Sequence, residues 1–180
     1  NAKGSPVNYL SYIGHRYLRA LAGNDDPYKK SSKEQIEVMA KAASISLSQG
    51  AIGVSFGLEY SPGADFEEMI DLLDLIGKKD MLLAAHYRKD AKYGIDSIKE
   101  LINLSKHTSI PMQISHIGSC TAFGMMEESL EVVQKAIDEG IDVSTDCYPY
   151  DAFGTYIGSA VFDEGCFELW NKSYEDIMLT

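Results

Sequence analysis

One pattern governs what this chain can fold into: an amphipathic stretch at helical spacing, a glycine, then a short apolar run, repeated in succession. Ser32 and Gln35 form a capping box, Ile36, Met39, Ala40, Ala43 and Leu47 recur at helical spacing, and Gly50 stops them. Ala51 to Ser55 follows, too short for a helix and rich enough in branched residues for a buried strand. The unit recurs with Asp65 and Glu68 opening a helix, Met69, Leu72, Leu73 and Ile76 lining it, Gly77 closing it and Met81 to Ala85 as strand. Ile95, Ile98, Leu101 and Ile102 precede a strand at Ile110 to Ile114. Met126, Leu130, Val133 and Ile137 precede Gly140 and a strand at Ile141 to Val143.

With Tyr9 to Ile13 as the first, the spacing predicts five strands, apolar on both faces and alternating with helices. That alternation means an α/β architecture of parallel strands joined by helical crossovers. Five is fewer than the eight of a closed barrel, so the sheet is either open or part of one. The 180 residues suit one domain, expected to span 3–180, with Asn1-Ala2 read as a possible tag remnant.

Composition narrows the partners. Asp and Glu outnumber Lys and Arg by 27 to 16, and the net charge of −11 repels phosphate backbones, which argues against nucleic acid. No apolar run is long enough to cross a membrane. Cys120, Cys147 and Cys166 form no CxxC pair and cannot all be bridged, which suits a cytoplasmic location.

In parallel α/β folds ligands lie beyond the carboxyl ends of the strands. Three of the four histidines, His15, His86 and His116, fall at such ends. His86 and His116 close consecutive strands, and neighbouring strands lie about 4.8 Å apart, so both rings could reach one ion. A single strand-end histidine is more often hydrogen-bonded scaffold; two at matched positions are what a zinc site needs, although two cannot hold the ion tightly unaided. His15 reads as an outer partner or a buried, satisfied residue, and His107 as solvated scaffold in the loop entering the fourth strand.

At these positions the sequence resembles the N-acyl-D-amino-acid deacylase (D-aminoacylase) family. Residues 50–63 are similar to its GAIGxSxGLxYxPG stretch, His86-Tyr87-Arg88 to its HxR element, Gln113-Ile114-Ser115-His116 to QISH, Asp146 to Tyr150 to DxYPY, and Gly14-His15 with Arg19 to GHxxxR. The resemblance implies a partial TIM-barrel-like, metal-dependent hydrolase fold in which these strands are the third to seventh. It also implies zinc held by His86 and His116, and hydrolysis of the amide bond of N-acyl-D-amino acids. By the same resemblance Tyr60 and Tyr148 touch substrate. Arg88, two residues beyond His86 and so on its side of an unbroken strand, is a candidate fork for a substrate carboxylate or else part of an ion pair. Asp146 fits a structural hydrogen-bonding role.

The family's early HxH pair, bridging cysteine and catalytic aspartate have no counterpart in these residues, so no catalytic residue is assigned and the chain alone is expected to be inactive. Gly118 stands where many relatives carry a basic residue, which removes a charge for a substrate carboxylate. Beyond Thr155 the match fades, and Phe162, Cys166, Phe167, Leu169 and Trp170 suggest a short packed helix. A partial barrel has exposed edge strands, so self-association along them, or rearrangement of the tail, is expected. The alternatives are a non-catalytic α/β ligand-binding domain, or a cyclic-amide amidohydrolase of dihydroorotase or hydantoinase type.

Overall fold

The computed structural model describes residues 7–77 and 80–179; the suggested tag remnant lies outside them. Five parallel strands form one sheet in chain order: β1 (Ile13–Gly14), β2 (Gly53–Gly57), β3 (Leu82–His86), β4 (Met112–Ile114) and β5 (Val143–Thr145). Between them run α1 (His15–Leu21), α2 (Lys33–Ser48), α3 (Phe66–Ile76), α4 (Gly94–Thr108), α5 (Ile117–Thr121) and α6 (Met126–Asp138), with α7 (Cys166–Trp170) after β5. The helices pack on one another in series, α1 on α2, α2 on α3, α3 on α4 and α4 on α6.

The repeating unit has a local cause. At the end of α2, Gly50 adopts φ +105°; its N–H donates to Leu47 O and that of Ala51 to Ser46 O. Gly140 does the same after α6, with bonds to Ile137 O and, from Ile141, to Ala136 O. This paired closure satisfies helix-end carbonyls and needs a left-handed residue that glycine supplies without a Cβ clash. It also corrects the strand limits. The residue after Gly50 and after Gly140 still serves the helix end, so β2 and β5 begin two residues later than their apolar runs, while β3 begins one residue later, and Phe56 and His86 are in strands rather than beyond them.

The expected first strand is shorter than its apolar pattern. Tyr9 and Leu10 are 80% and 71% exposed, and Ile13–Gly14 alone ladder with β2. At a sheet edge only one neighbour can pair, and upstream of the ladder Ile52 N–H reaches Ser11 O. The inner faces of α2 and α4 are buried as the spacing requires. In α3 Met69, Leu72 and Leu73 are buried and Ile76 packs at the core margin. Helix α6 differs. Ser129, Val133 and Ala136 face inward, while Leu130 and Ile137 are 45% and 44% exposed, because α4 and β5 cover one flank only. His107 lies in the last turn of α4, not in a loop.

Candidate metal centre

The carboxyl ends of β3 and β4 carry the site. His86 is the last residue of β3, beside Gly57 of β2. His116 stands two residues past β4 with φ +40°, and its N–H is held by Asp146 Oδ1, while Gln113 Nε2 donates to Asp146 Oδ2 at 3.0 Å. The turn swings the second ring toward the first, so that His86 Nδ1 and His116 Nε2 are 3.1 Å apart.

The outer partners decide which nitrogens carry protons. Ser119 Oγ donates to His116 O at 2.9 Å. Its two lone pairs then accept from His116 Nδ1 and the Tyr87 hydroxyl, both at 2.6 Å. On the other ring, Nε2 of His86 lies 2.8 Å from Glu59 Oε2 and donates to it when the carboxyl is ionised. These assignments leave lone pairs on His86 Nδ1 and His116 Nε2 aimed at one another. Two acceptors in contact repel unless a cation or a proton sits between them. Two zinc–nitrogen bonds of about 2.1 Å at a tetrahedral angle separate the nitrogens by roughly 3.4 Å, close to what is found. The pattern of imidazoles anchored through their far nitrogens by a carboxylate and a hydroxyl is that of metal ligands with their outer partners.

Burial holds His86 down to about 4, and burial together with the His86 charge lowers His116, so both rings are neutral at neutral pH. Burial pushes Glu59 up to about 7 against the opposing contacts of Asp90 and Lys89. Asp90 is likewise raised to about 7 by burial and then by the neighbouring Glu59 charge. Among the described residues no third His, Cys, Asp or Glu converges with the pair as a ligand set. The donors present fit zinc as two of its ligands.

A cavity of about 330 Å³ opens over the pair, lined in part by Tyr60, Tyr148, Tyr150 and Phe153. The Tyr60 ring lies 5.1 Å from His86 and its hydroxyl 3.0 Å from Thr155 Oγ1; the Tyr148 ring lies 6.3 Å from His116. Arg88 is elsewhere. Because β3 ends at His86, the chain turns and Arg88 grips Glu100 of α4 through Nε at 2.9 Å and Nη2 at 2.8 Å, outside the cavity lining. His15 is also apart, buried against Glu68 and Arg19. Sequence reasoning missed Glu59, Tyr87, Asp90 and Ser119. Position 59 is unspecified in GLxYxPG, and an aspartate in a loop or a serine in a one-turn helix reads as solvated until the fold buries it.

Fold and cleft, a wall of parallel strands with a histidine pair at its carboxyl edge, resemble those of solved amidohydrolases. The chain is similar to the N-acyl-D-glutamate deacylase of Alcaligenes xylosoxydans xylosoxydans, 28% identical over 156 residues, which cover 84% of this chain and 32% of that one. The N-acyl-D-glutamate deacylase of Bordetella bronchiseptica, solved with zinc and a phosphonate mimic of the tetrahedral intermediate, superposes with a TM-score of 0.72 at 26% identity, over 83% of this chain and 32% of that one. A D-aminoacylase structure described as defining a novel subset of amidohydrolases gives 0.72 at 30% identity over the same shares. The chain thus spans about a third of the length of the relatives it matches. No family model matches it.

Proposed function

We propose that the protein carrying these residues is a zinc-dependent hydrolase of the amide bond of N-acyl-D-amino acids, with His86 and His116 as two of its metal ligands. The observation that carries the reading is the facing pair of ring nitrogens 3.1 Å apart, each ring held by a partner on its far side. Zinc, when bound, supplies a Lewis acid that brings the acidity of water near neutral pH. The chain's own residues hold that chemistry in place. Ser119 and Glu59 fix the ring tautomers, and Tyr60 and Tyr148 wall the space above them, as residues that contact substrate would. Arg88, clamped by Glu100, supports the strand end instead of offering a free fork.

Among the described residues no third ligand converges with the pair, and the 180 residues alone are proposed to be inactive; a substantial zinc-dependent deacylase rate from them would overturn that. For the full-length protein the test is release of free D-amino acid from N-acetyl-D-amino acids, dependent on zinc and lost on chelation. Full activity after His86→Ala with zinc content unchanged would sink the assignment. Two smaller proposals accompany it. The unbridged Cys120, Cys147 and Cys166 suit a reducing cytoplasm. The isolated chain should self-associate along β1 or β5, so a monodisperse monomer by light scattering at high concentration would contradict that.

A further inference from the structure

The far-side partners of the two histidines stand on separate short pieces of chain, Glu59 in the turn after β2 and Ser119 in the single turn of α5. Their aim depends on what ties those pieces together, and Tyr87 does so. Its backbone carbonyl accepts from Glu59 N–H at 3.0 Å, and its hydroxyl donates to Ser119 Oγ at 2.6 Å. Its ring stacks on His86 with centroids 4.4 Å apart at 24°, and meets His116 edge-on at 5.5 Å and 79°. One residue, 1% exposed, thus contacts both rings and both of their anchors. Phenylalanine would fill the same volume; the phenol adds only the bond to Ser119. With that bond, Ser119 swings away from His116 by breaking three hydrogen bonds instead of two. Residue 87 is the unspecified place in HxR, so the motif assigns it no role.

We infer that Tyr87 is a positioning residue of the metal centre: through Ser119 it fixes the aim of His116, and so raises the affinity for zinc without being a ligand. The inference rests on the zinc reading and deepens it. Two rings share one ion only when both nitrogens are held to within about 0.5 Å, and the His116 ring swings on a turn that the sheet does not constrain. Outer partners of ligand rings are worth about 10–100-fold in affinity, and a partner one hydrogen bond further out should fall at the lower end.

The test is a double-mutant comparison on the full-length protein, with zinc affinity read by competition against a chromophoric chelator. Tyr87→Phe keeps the ring and should bind zinc about 10-fold more weakly than the native protein. Added to Ser119→Ala, it should weaken binding no further than Ser119→Ala alone. A role in packing alone would move the urea midpoint of the zinc-free protein and leave the affinity as it was. Native affinity in Tyr87→Phe, or equal losses in the two backgrounds, overturns the inference and leaves the zinc reading standing. Failure of the native protein to bind zinc overturns both. If Tyr87→Phe does not fold, the native protein answers by reciprocity, because a phenol that strengthens zinc binding is itself held more tightly when zinc is bound. Exchange of the Tyr87 hydroxyl proton with solvent, followed by NMR in tyrosine-labelled protein, should then slow about 10-fold on zinc loading, and an unchanged rate overturns the inference.

Discussion

Two histidines at strand ends, His15 after β1 and His86 at the end of β3, each sit beside a glutamate, the first pair buried and the second half-buried, yet they are built differently. Around His15 the charges close on themselves. Glu68 Oε1 accepts from Arg19 and lies 3.0 Å from His15 Nε2, Glu68 Oε2 accepts from Ser31 N–H, and the Arg19 guanidinium also holds the Lys29 and Asp26 carbonyls. At His86 the glutamate has no arginine, and the free ring nitrogen faces another histidine. A strand-end histidine therefore declares its role through what neutralises its carboxylate partner. An internal cation marks it as scaffold, and an open place for one is what the proposed ligand role requires.

That contrast can be broken by mutation. The largest effect is expected at the open pair. His86→Ala or His116→Ala should remove bound zinc from the full-length protein, exceeding the 10–100-fold loss of affinity typical of outer partners, while His15→Ala should leave metal content intact. Zinc stoichiometry by elemental analysis reads this, and equal loss in all three would erase the distinction. Next, Arg19→Leu strands a buried Glu68 charge and should cost about 3–5 kcal/mol in urea denaturation.

The closed network also predicts acid sensitivity. Burial alone would raise Glu68, but the hydrogen bonds from His15, Ser31 N–H and Arg19 overcome it and hold the carboxyl down at about 2. A depressed carboxylate stabilises the fold above its unfolded value and loses that contribution as pH falls through the folded one. About 3 kcal/mol should therefore drain away between roughly pH 4.5 and 2. A denaturation series that is flat across that window for the native chain would contradict the network. Smaller again, Ser119→Ala should weaken zinc binding about 10–100-fold by freeing the His116 tautomer. Smallest is the contrast within α6: Leu130→Ser should shift stability by less than about 0.5 kcal/mol and Val133→Ala by about 2 kcal/mol, measured as urea midpoints.

The α6 contrast also marks where the sequence was legible. The helix–glycine–strand units were, because the capping box at Ser32, the left-handed glycines and the apolar spacing are local signals that the fold reads back unchanged. The inner face of α6 was not, since the spacing cannot reveal that its Leu130 flank has no cover among the described residues. Within the site, His86 and His116 stand out by type and position. Glu59, Asp90 and Ser119 do not, because their burial comes from the turns after β2, β3 and β4 and from Trp170, none of which leaves a periodic trace. Arg88 shows the same limit from the other side: its placement turned on whether β3 continued past His86.

His116 holds its ring over the cleft from a left-handed backbone, φ +40°, with the Asp146 carboxylate gripping its N–H. For a residue with a Cβ that posture costs of order 1–2 kcal/mol, which glycine would relieve. Drift at this position is thus blocked twice over: the substitution that relaxes the chain deletes the imidazole, and an imidazole without Asp146 loses its aim. Residues 116 and 146 should change together across descendants or not at all.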